Sequence, residues 1–194
     1  AERLGFNFIF LPKQNAADFD VAQYLLHSLS TAVLAKRLAL QLNDADPMDC
    51  FIGGLLHDFG KVVLAQFLPK EFKQGLAMCQ ADGSSLHAAL NRILGIDHAA
   101  VGAMLVEKWR FAPSLIETIA HQYDSHLMQS DLFACVFTAN QISKKLSFGF
   151  GGNPCIHELP PLVARAFGAS LDEVIASCGD LSAAFEEAKI FAKI

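Results

Sequence analysis

Apolar residues recur along most of this chain at the three- and four-residue spacing of a buried helix face, and no run alternates as a half-buried strand would. Ala22, Leu25, Leu26, Leu29, Val33, Leu34 and Leu38 form one such stripe, which the pattern ends near Asn43. Asp46-Pro47 then predicts a helix start, with Asp46 as N-cap, Pro47 at the first helical position and Asp49 adding negative charge at the positive end of the dipole. That helix should run to about Asp58, where Gly60 interrupts it. Further helices are predicted from Pro69 to Ala81, ended by Asp82-Gly83, and from Ser85 to Leu94, ended by Gly95. Asp97 caps a segment to about Arg110, Pro113 opens one to about Tyr123, and a long helix follows from Ser130 to Leu146.

Residues 148–160, with glycines at 149, 151 and 152 and prolines at 154 and 160, break the periodicity and predict a loop. No GK[ST] follows, so this is not a phosphate-binding glycine motif. Three short helices come after it, one from Pro161, one opened by the capping box Ser170-Leu171-Asp172-Glu173, and one from Asp180 to the end. There is no internal repeat, and the expected fold class is all-α.

Composition narrows the function classes. With 194 residues, 53% of them hydrophobic, the chain can bury a real core and is too apolar for disorder. Its mean hydropathy of +0.33 leads us to expect some apolar surface kept for a protein partner or a second protomer. The net charge is −5, and the fifteen basic residues are scattered, with Lys36-Arg37 and Lys144-Lys145 the adjacent pairs, so no stripe suits nucleic acid. No stretch approaches the roughly eighteen consecutive apolar residues of a membrane span, and residues 1–12 lack signal-peptide features. The five cysteines, Cys50, Cys79, Cys135, Cys155 and Cys178, have no CxxC spacing and read as reduced thiols, most of them in apolar helical windows. A cytoplasmic location is expected. Ala1-Glu2-Arg3-Leu4-Gly5-Phe6 reads like the inside of a domain, so sequence upstream of it is expected.

The candidate chemistry centres on His57-Asp58 within Leu55-Leu56-His57-Asp58-Phe59-Gly60-Lys61, with His27 about one helix earlier. An adjacent imidazole and carboxylate suit a divalent metal, and Lys61 suits a phosphate contact. Blander roles compete with each. His57 and Asp58 could be a hydrogen-bonded pair tying two helices, His27 a core histidine facing it, His98 a helix-start residue beside its cap Asp97, and Lys61 a solvated lysine. His87, His121, His126 and His157 read as exposed or loop residues, and Trp109, Phe111, Phe6, Phe10 and Phe19 as core aromatics. No GxSxG elbow, HExxH helix or GxGxxG after a strand appears.

The order His27-Ser28-Leu29, then Gly54-Leu55-Leu56-His57-Asp58-Phe59-Gly60-Lys61, then Gly95-Ile96-Asp97-His98-Ala99-Ala100-Val101-Gly102-Ala103 and Trp109 resembles the HDOD domain, a bacterial branch of the HD superfamily related to the HD-GYP phosphodiesterases. The resemblance covers roughly residues 18 to 190 and implies an HD-domain-like helical bundle over 18–194, with residues 1–17 as the tail of a preceding N-terminal helical subdomain. It also implies a metal held by His27, His57, Asp58 and a later aspartate, with His98 as an additional ligand and Lys61 near substrate phosphate. Two positions depart from the pattern. Gln122-Tyr123 stands where HD-GYP members have a histidine pair, and His121 is one residue early, about 100° away around a helix. The later aspartate falls at Asn140. Asp58 with Asn140 leaves a divalent ion at net charge of about +1, and a carboxamide is a weaker ligand than a carboxylate. The expectation is therefore one weakly held ion (iron, manganese, nickel or zinc) at His27, His57, Asp58 and Asn140, and no catalytic residue, because two-metal hydrolysis needs both ions about 3.5–4 Å apart.

These residues favour a non-enzymatic bacterial signal-transduction module acting through protein contacts. The alternative is a metal-dependent phosphohydrolase acting on a nucleotide or phosphate ester, with Lys61 on the phosphate.

Overall fold

The computed structural model describes residues 19–124, 130–153 and 155–192. The expected tail over residues 1–17, with Phe6 and Phe10, and the loop residue His126 lie outside the described residues. Among the described residues every regular element is an α-helix.

Helix α1 (Val21–Ala39) starts at Asp20, whose side chain accepts from Gln23 N–H. It ends four residues before the predicted Asn43, and of the predicted apolar stripe its buried face takes in the second half, Val33, Leu34 and Leu38, but not the first. Ala22 is exposed and Leu25, Leu26 and Leu29 are half-buried, whereas the polar His27, Ser28, Ser30 and Thr31 are buried. A helix enclosed on most sides shows little amphipathic contrast, so the pattern marks the helix and only part of its inner face.

Helix α2 (Pro47–Leu56) begins as predicted, with the Asp46 carboxylate accepting from Met48 and Asp49 N–H. The chain turns at His57-Asp58 and starts a separate helix, α3 (Phe59–Phe67). Gly60 therefore lies inside a helix and does not interrupt one, contrary to the sequence expectation. Its bare Cα lets α3 approach α6: a Cβ built there would lie 1.9 Å from the His98 carbonyl oxygen. Gly54 plays the same part between α2 and α1, where a Cβ would lie 2.7 Å from the Ala32 Cα.

Helices α4 (Pro69–Asp82), α5 (Leu86–Leu94) and α6 (His98–Lys108) follow at their predicted stops and caps. Gly83 and Gly95 close the first two in the left-handed conformation, and the Asp97 side chain accepts from Ala100 N–H at the start of the third. Helix α7 (Pro113–Ala120) stops three residues before the predicted Tyr123, leaving His121 to Tyr123 in a turn. Helix α8 (Asp131–Lys145) runs through the core, and α9 (Pro161–Phe167), α10 (Leu171–Ser177) and α11 (Ser182–Ala192) close the chain, with the Ser170–Glu173 capping box formed.

Helix α1 packs on α2, α8 and α11; α6 packs on α3 and α7; α4 packs on α5. Two apolar clusters result. The larger draws on α1, α2, α7 and α8, and the smaller on Phe19, Tyr24, Val62, Leu64, Phe72, Leu86 and Leu90, while Phe59 touches both. Trp109 is 40% exposed and rests on Phe59 at 5.6 Å, so it is a rim residue and not the expected core aromatic. Cys50, Cys79, Cys135 and Cys178 are buried and all five cysteines are free.

Of the described helical stretches, Pro47–Phe67 is long and apolar enough to cross a membrane, but 61% of it is buried inside the protein and it carries His57, Asp58 and Lys61. Those are the properties of a core helix pair.

Gly60→Ala should force α3 and α6 apart, because the obstacle is backbone. We expect a loss at or above the upper end of the ~1–3 kcal/mol typical of overpacking, read as a lower urea midpoint with an unchanged slope. An unchanged midpoint would refute the close approach.

Candidate functional site

Where α1, α2, α3 and α6 meet, the chain buries a group of polar side chains. His27 comes from the middle of α1, and the Gly54–Ala32 contact brings α2 near enough that the His27 and His57 rings lie 5.5 Å apart. His57 is held by a 2.7 Å contact from Nδ1 to the Gly54 carbonyl oxygen. A carbonyl can only accept, so Nδ1 donates in that bond and Nε2 is the nitrogen turned toward the site. Asp58 occupies the N-cap position of α3 but makes no cap hydrogen bond. Its carboxylate turns inward.

Around that carboxylate, Lys61 Nζ lies 2.5 Å from Oδ2, His57 Nε2 3.3 Å and His27 Nε2 3.8 Å, while His98 Nε2 lies 3.4 Å from Oδ1. His27, His57, Asp58 and Lys61 are each 1% exposed and His98 is 0% exposed, so no solute reaches them in this conformation. Lys61 is therefore neither a solvated lysine nor open to a phosphate.

The two departures from the HD-GYP pattern are both built into this group. Gln122 donates from Nε2 to the His57 carbonyl at 2.8 Å, and the Tyr123 hydroxyl lies 2.9 Å from His98 Nε2. His121 sits at the end of α7. Asn140 is buried on α8 with no partner for its Oδ1 among the described residues, and it shares with His57 and Gln122 the wall of a cavity of about 10 Å³. That is room for about one water. His87, expected to be exposed or in a loop, instead pairs with Asp97 at 2.7 Å and stacks on Tyr123 at 4.3 Å.

The glycine loop covers the group. Phe150 N–H donates to the Gln23 carbonyl, and a Cβ on Gly149, which has φ +74°, would collide with His27 N at 2.3 Å. At Gly151 a Cβ would lie 2.9 Å from His27 Cδ2 and 3.1 Å from Asp58 Oδ2. The loop's role was not legible in its sequence, which shows turn formers and nothing of what they lie against. Lys144 is a second residue that sequence reasoning missed: it is half-buried on α8, donates to the Cys155 carbonyl at 3.2 Å, and adds positive charge near Lys61.

Electrostatics follow from burial. Desolvation opposes ionisation of Asp58, but the positive character of His57 and Lys61 outweighs it and holds the carboxyl well below its usual range. Burial pushes His27 down to about 3 and His98 down to about 4, with His57 adding to the first and Lys61 to the second. Burial likewise brings Lys144 down to about 8.

One nitrogen each from His27 and His57 and one Asp58 oxygen lie within 4.8 Å of one another, a donor set of the kind that takes a divalent ion. The charges do not suit one. Lys61 already neutralises Asp58, so an added divalent cation would leave about two uncompensated positive charges in a sealed interior. As built, the site does not fit the ion.

The HDOD domain family profile matches residues 6–125. No curated protein matches the chain. Among solved structures, an HDOD domain protein from Geobacter sulfurreducens superimposes with a TM-score of 0.71 at 24% identity, over 94% of this chain and 63% of that one. A "Putative phosphohydrolase" from Shewanella amazonensis gives 0.67 at 21%, over 88% and 63%, and a "Putative signal transduction protein" from Marinobacter aquaeolei gives 0.75 at 19%, over 94% and 40%. The chain thus spans less than two thirds of the length of each. The shared fold is the helical one described above.

Gly151→Ala should lift the loop off the imidazoles. We expect faster modification of His27 by diethyl pyrocarbonate at neutral pH, and an unchanged rate would show that the loop does not seal the site.

The buried histidines also set a pH dependence. Near pH 6.5 the unfolded chain begins to protonate His27 and His98, whereas the folded chain resists until about 3 and 4. The unfolded state then holds more protons, so the contribution is fully present above about pH 6.5 and is lost as pH falls. We expect about 1.4 kcal/mol per pH unit for each histidine between about pH 6 and 4. A urea midpoint flat from pH 7 to 4.5 would contradict this.

Proposed function

The chain belongs to the HDOD-domain family, and on that footing we propose that it is a non-enzymatic regulatory module of bacterial signal transduction. It works through protein contacts in the cytoplasm, with its HD constellation retained as a packed hub. The observation that carries this reading is the closure of the site: the histidines, the aspartate and the lysine that would meet metal and phosphate are at most 1% exposed. Hydrolysis needs a water and a phosphate at the same atoms, and closure of this kind leaves the phosphate no way in. Loss of the histidine pair and of the last carboxylate points the same way, since Gln122 and Tyr123 are spent on holding His57 and His98. The description of the Marinobacter relative as a signal-transduction protein agrees with it.

Protein contact is supported by the surface. Phe67, Met104 and Leu40 are each more than half exposed, on or beside α3, α6 and α1. Apolar side chains left in water in this number suit a protein partner or a second protomer.

The second reading, a metal-dependent phosphohydrolase, is favoured by the convergence of His27, His57 and Asp58 and by the description of the Shewanella relative. Turnover separates the two. With bis(p-nitrophenyl) phosphate and p-nitrophenyl phosphate, in the presence of manganese, nickel, iron(II) or zinc, the protein should be no faster than its His57→Ala variant. Turnover that His57→Ala abolishes while the variant stays folded would replace the module with the hydrolase.

A further inference from the structure

We infer that Lys61 is the resident counter-ion of Asp58 and holds the place at that carboxylate which a divalent cation would otherwise take. The argument is one of geometry and charge. Of the four nitrogens around Asp58, the Lys61 ammonium is the nearest, 2.5 Å from Oδ2 against 3.3, 3.4 and 3.8 Å for the His57, His98 and His27 rings. Lys61 lies one helical turn beyond Asp58, in the first turn of α3, so its side chain is delivered to the carboxylate by the backbone itself. It reaches inward and is 1% exposed, although lysine is among the residues least often buried without a partner.

Among the described residues, no other carboxylate is free to take over its charge balance for an ion. Asp97, the other buried carboxylate among the described residues, already receives His87 at 2.7 Å, Asn91 at 3.0 Å and the Ala100 N–H at 2.8 Å. The position at which the family resemblance puts a second metal-binding carboxylate is the neutral Asn140. Lys144 adds a further cation to the same region. One carboxylate and one close ammonium make a neutral pair, and a divalent ion could reach Oδ2 only by displacing Nζ under a closed loop. A pair of this kind is worth little when intact but is costly to break, because either partner alone is left as an uncompensated buried charge.

The inference deepens the reading of the site as a packed hub and rests on it. The two fail separately: turnover dependent on His57 overturns the hub, whereas metal uptake by the unaltered chain without turnover overturns only the role of Lys61.

The test removes the ammonium and asks whether a metal replaces it. The unaltered protein, Lys61→Met, Asp58→Asn and the Asp58→Asn/Lys61→Met double variant are stripped with EDTA and melted with and without zinc or manganese at micromolar concentration. Without metal, each single variant should melt lower than the double variant, because the double removes both charges together. With metal, Lys61→Met should rise by several degrees and bind one ion per chain at least tenfold more tightly than the unaltered protein, which should not shift. The double variant should not shift either. The inference falls if the unaltered protein binds one ion as tightly as Lys61→Met, or if the losses of the two single variants add up in the double. Should Lys61→Met fail to fold, the comparison of Asp58→Asn with the double variant decides: the double must be the more stable of the two.

Discussion

A carboxylate sealed inside a helical bundle imposes the strongest local condition on this fold. Asp58 is ionised, 1% exposed and placed where α2 turns into α3, and burying such a charge without a partner would cost several kcal/mol. The lysine and the imidazoles around it are best understood as the answer to that condition. They come from different parts of the chain: His27 from α1, His57 from the α2–α3 corner, Lys61 from α3 and His98 from α6. Each donor fixes the element that carries it.

Close packing of backbones is what brings those elements near enough. Ring nitrogens and an ammonium reach one carboxylate only if the helices behind them almost touch. Gly54 against Ala32 sets α2 on α1, and Gly60 against the His98 carbonyl sets α3 on α6. The covering loop obeys the same rule, since Gly149 and Gly151 lie directly over His27 and Asp58. Small residues at these places and polar residues at the hub are therefore two sides of one requirement. Neither would serve without the other, because a looser packing would admit water and a packed apolar corner would need no such proximity.

Much of this was legible in the sequence. Helix starts and stops follow local chemistry, as at Asp46-Pro47, Gly83, Gly95 and the Ser170–Glu173 capping box, and these were readable one by one. His27, His57, Asp58 and His98 were also readable as a set, through the order and spacing that resemble the HDOD pattern. What was not readable depends on the third dimension. Gly60 looks like a helix breaker because glycine usually is one, and only the nearness of the His98 carbonyl reveals a packing role. Lys61 looks like surface because lysine usually is, and the loop over residues 148–153 looks like a connection until it is seen lying on the imidazoles. Polar residues of α1 face inward for the same reason, toward partners that are distant in the chain.

The departures at residues 122, 123 and 140 bear on whether the site has merely decayed. Random loss of ligands would leave donors pointing at nothing. Gln122 instead holds the His57 carbonyl and Tyr123 holds His98, with His87 stacked behind its ring. A neutral residue at position 140 also removes the negative charge that a site already containing Lys61 and Lys144 would need in order to accept a divalent ion. Residues 122 and 123 thus add hydrogen bonds to the hub, whereas Asn140 contributes only its neutrality and leaves its Oδ1 without a partner among the described residues. On the proposed reading, no substrate chemistry is performed at the centre of the hub. What it can still do is hold α1, α2, α3 and α6 in fixed relation, which in turn fixes the positions of Phe67 and Met104 on the outer faces of α3 and α6.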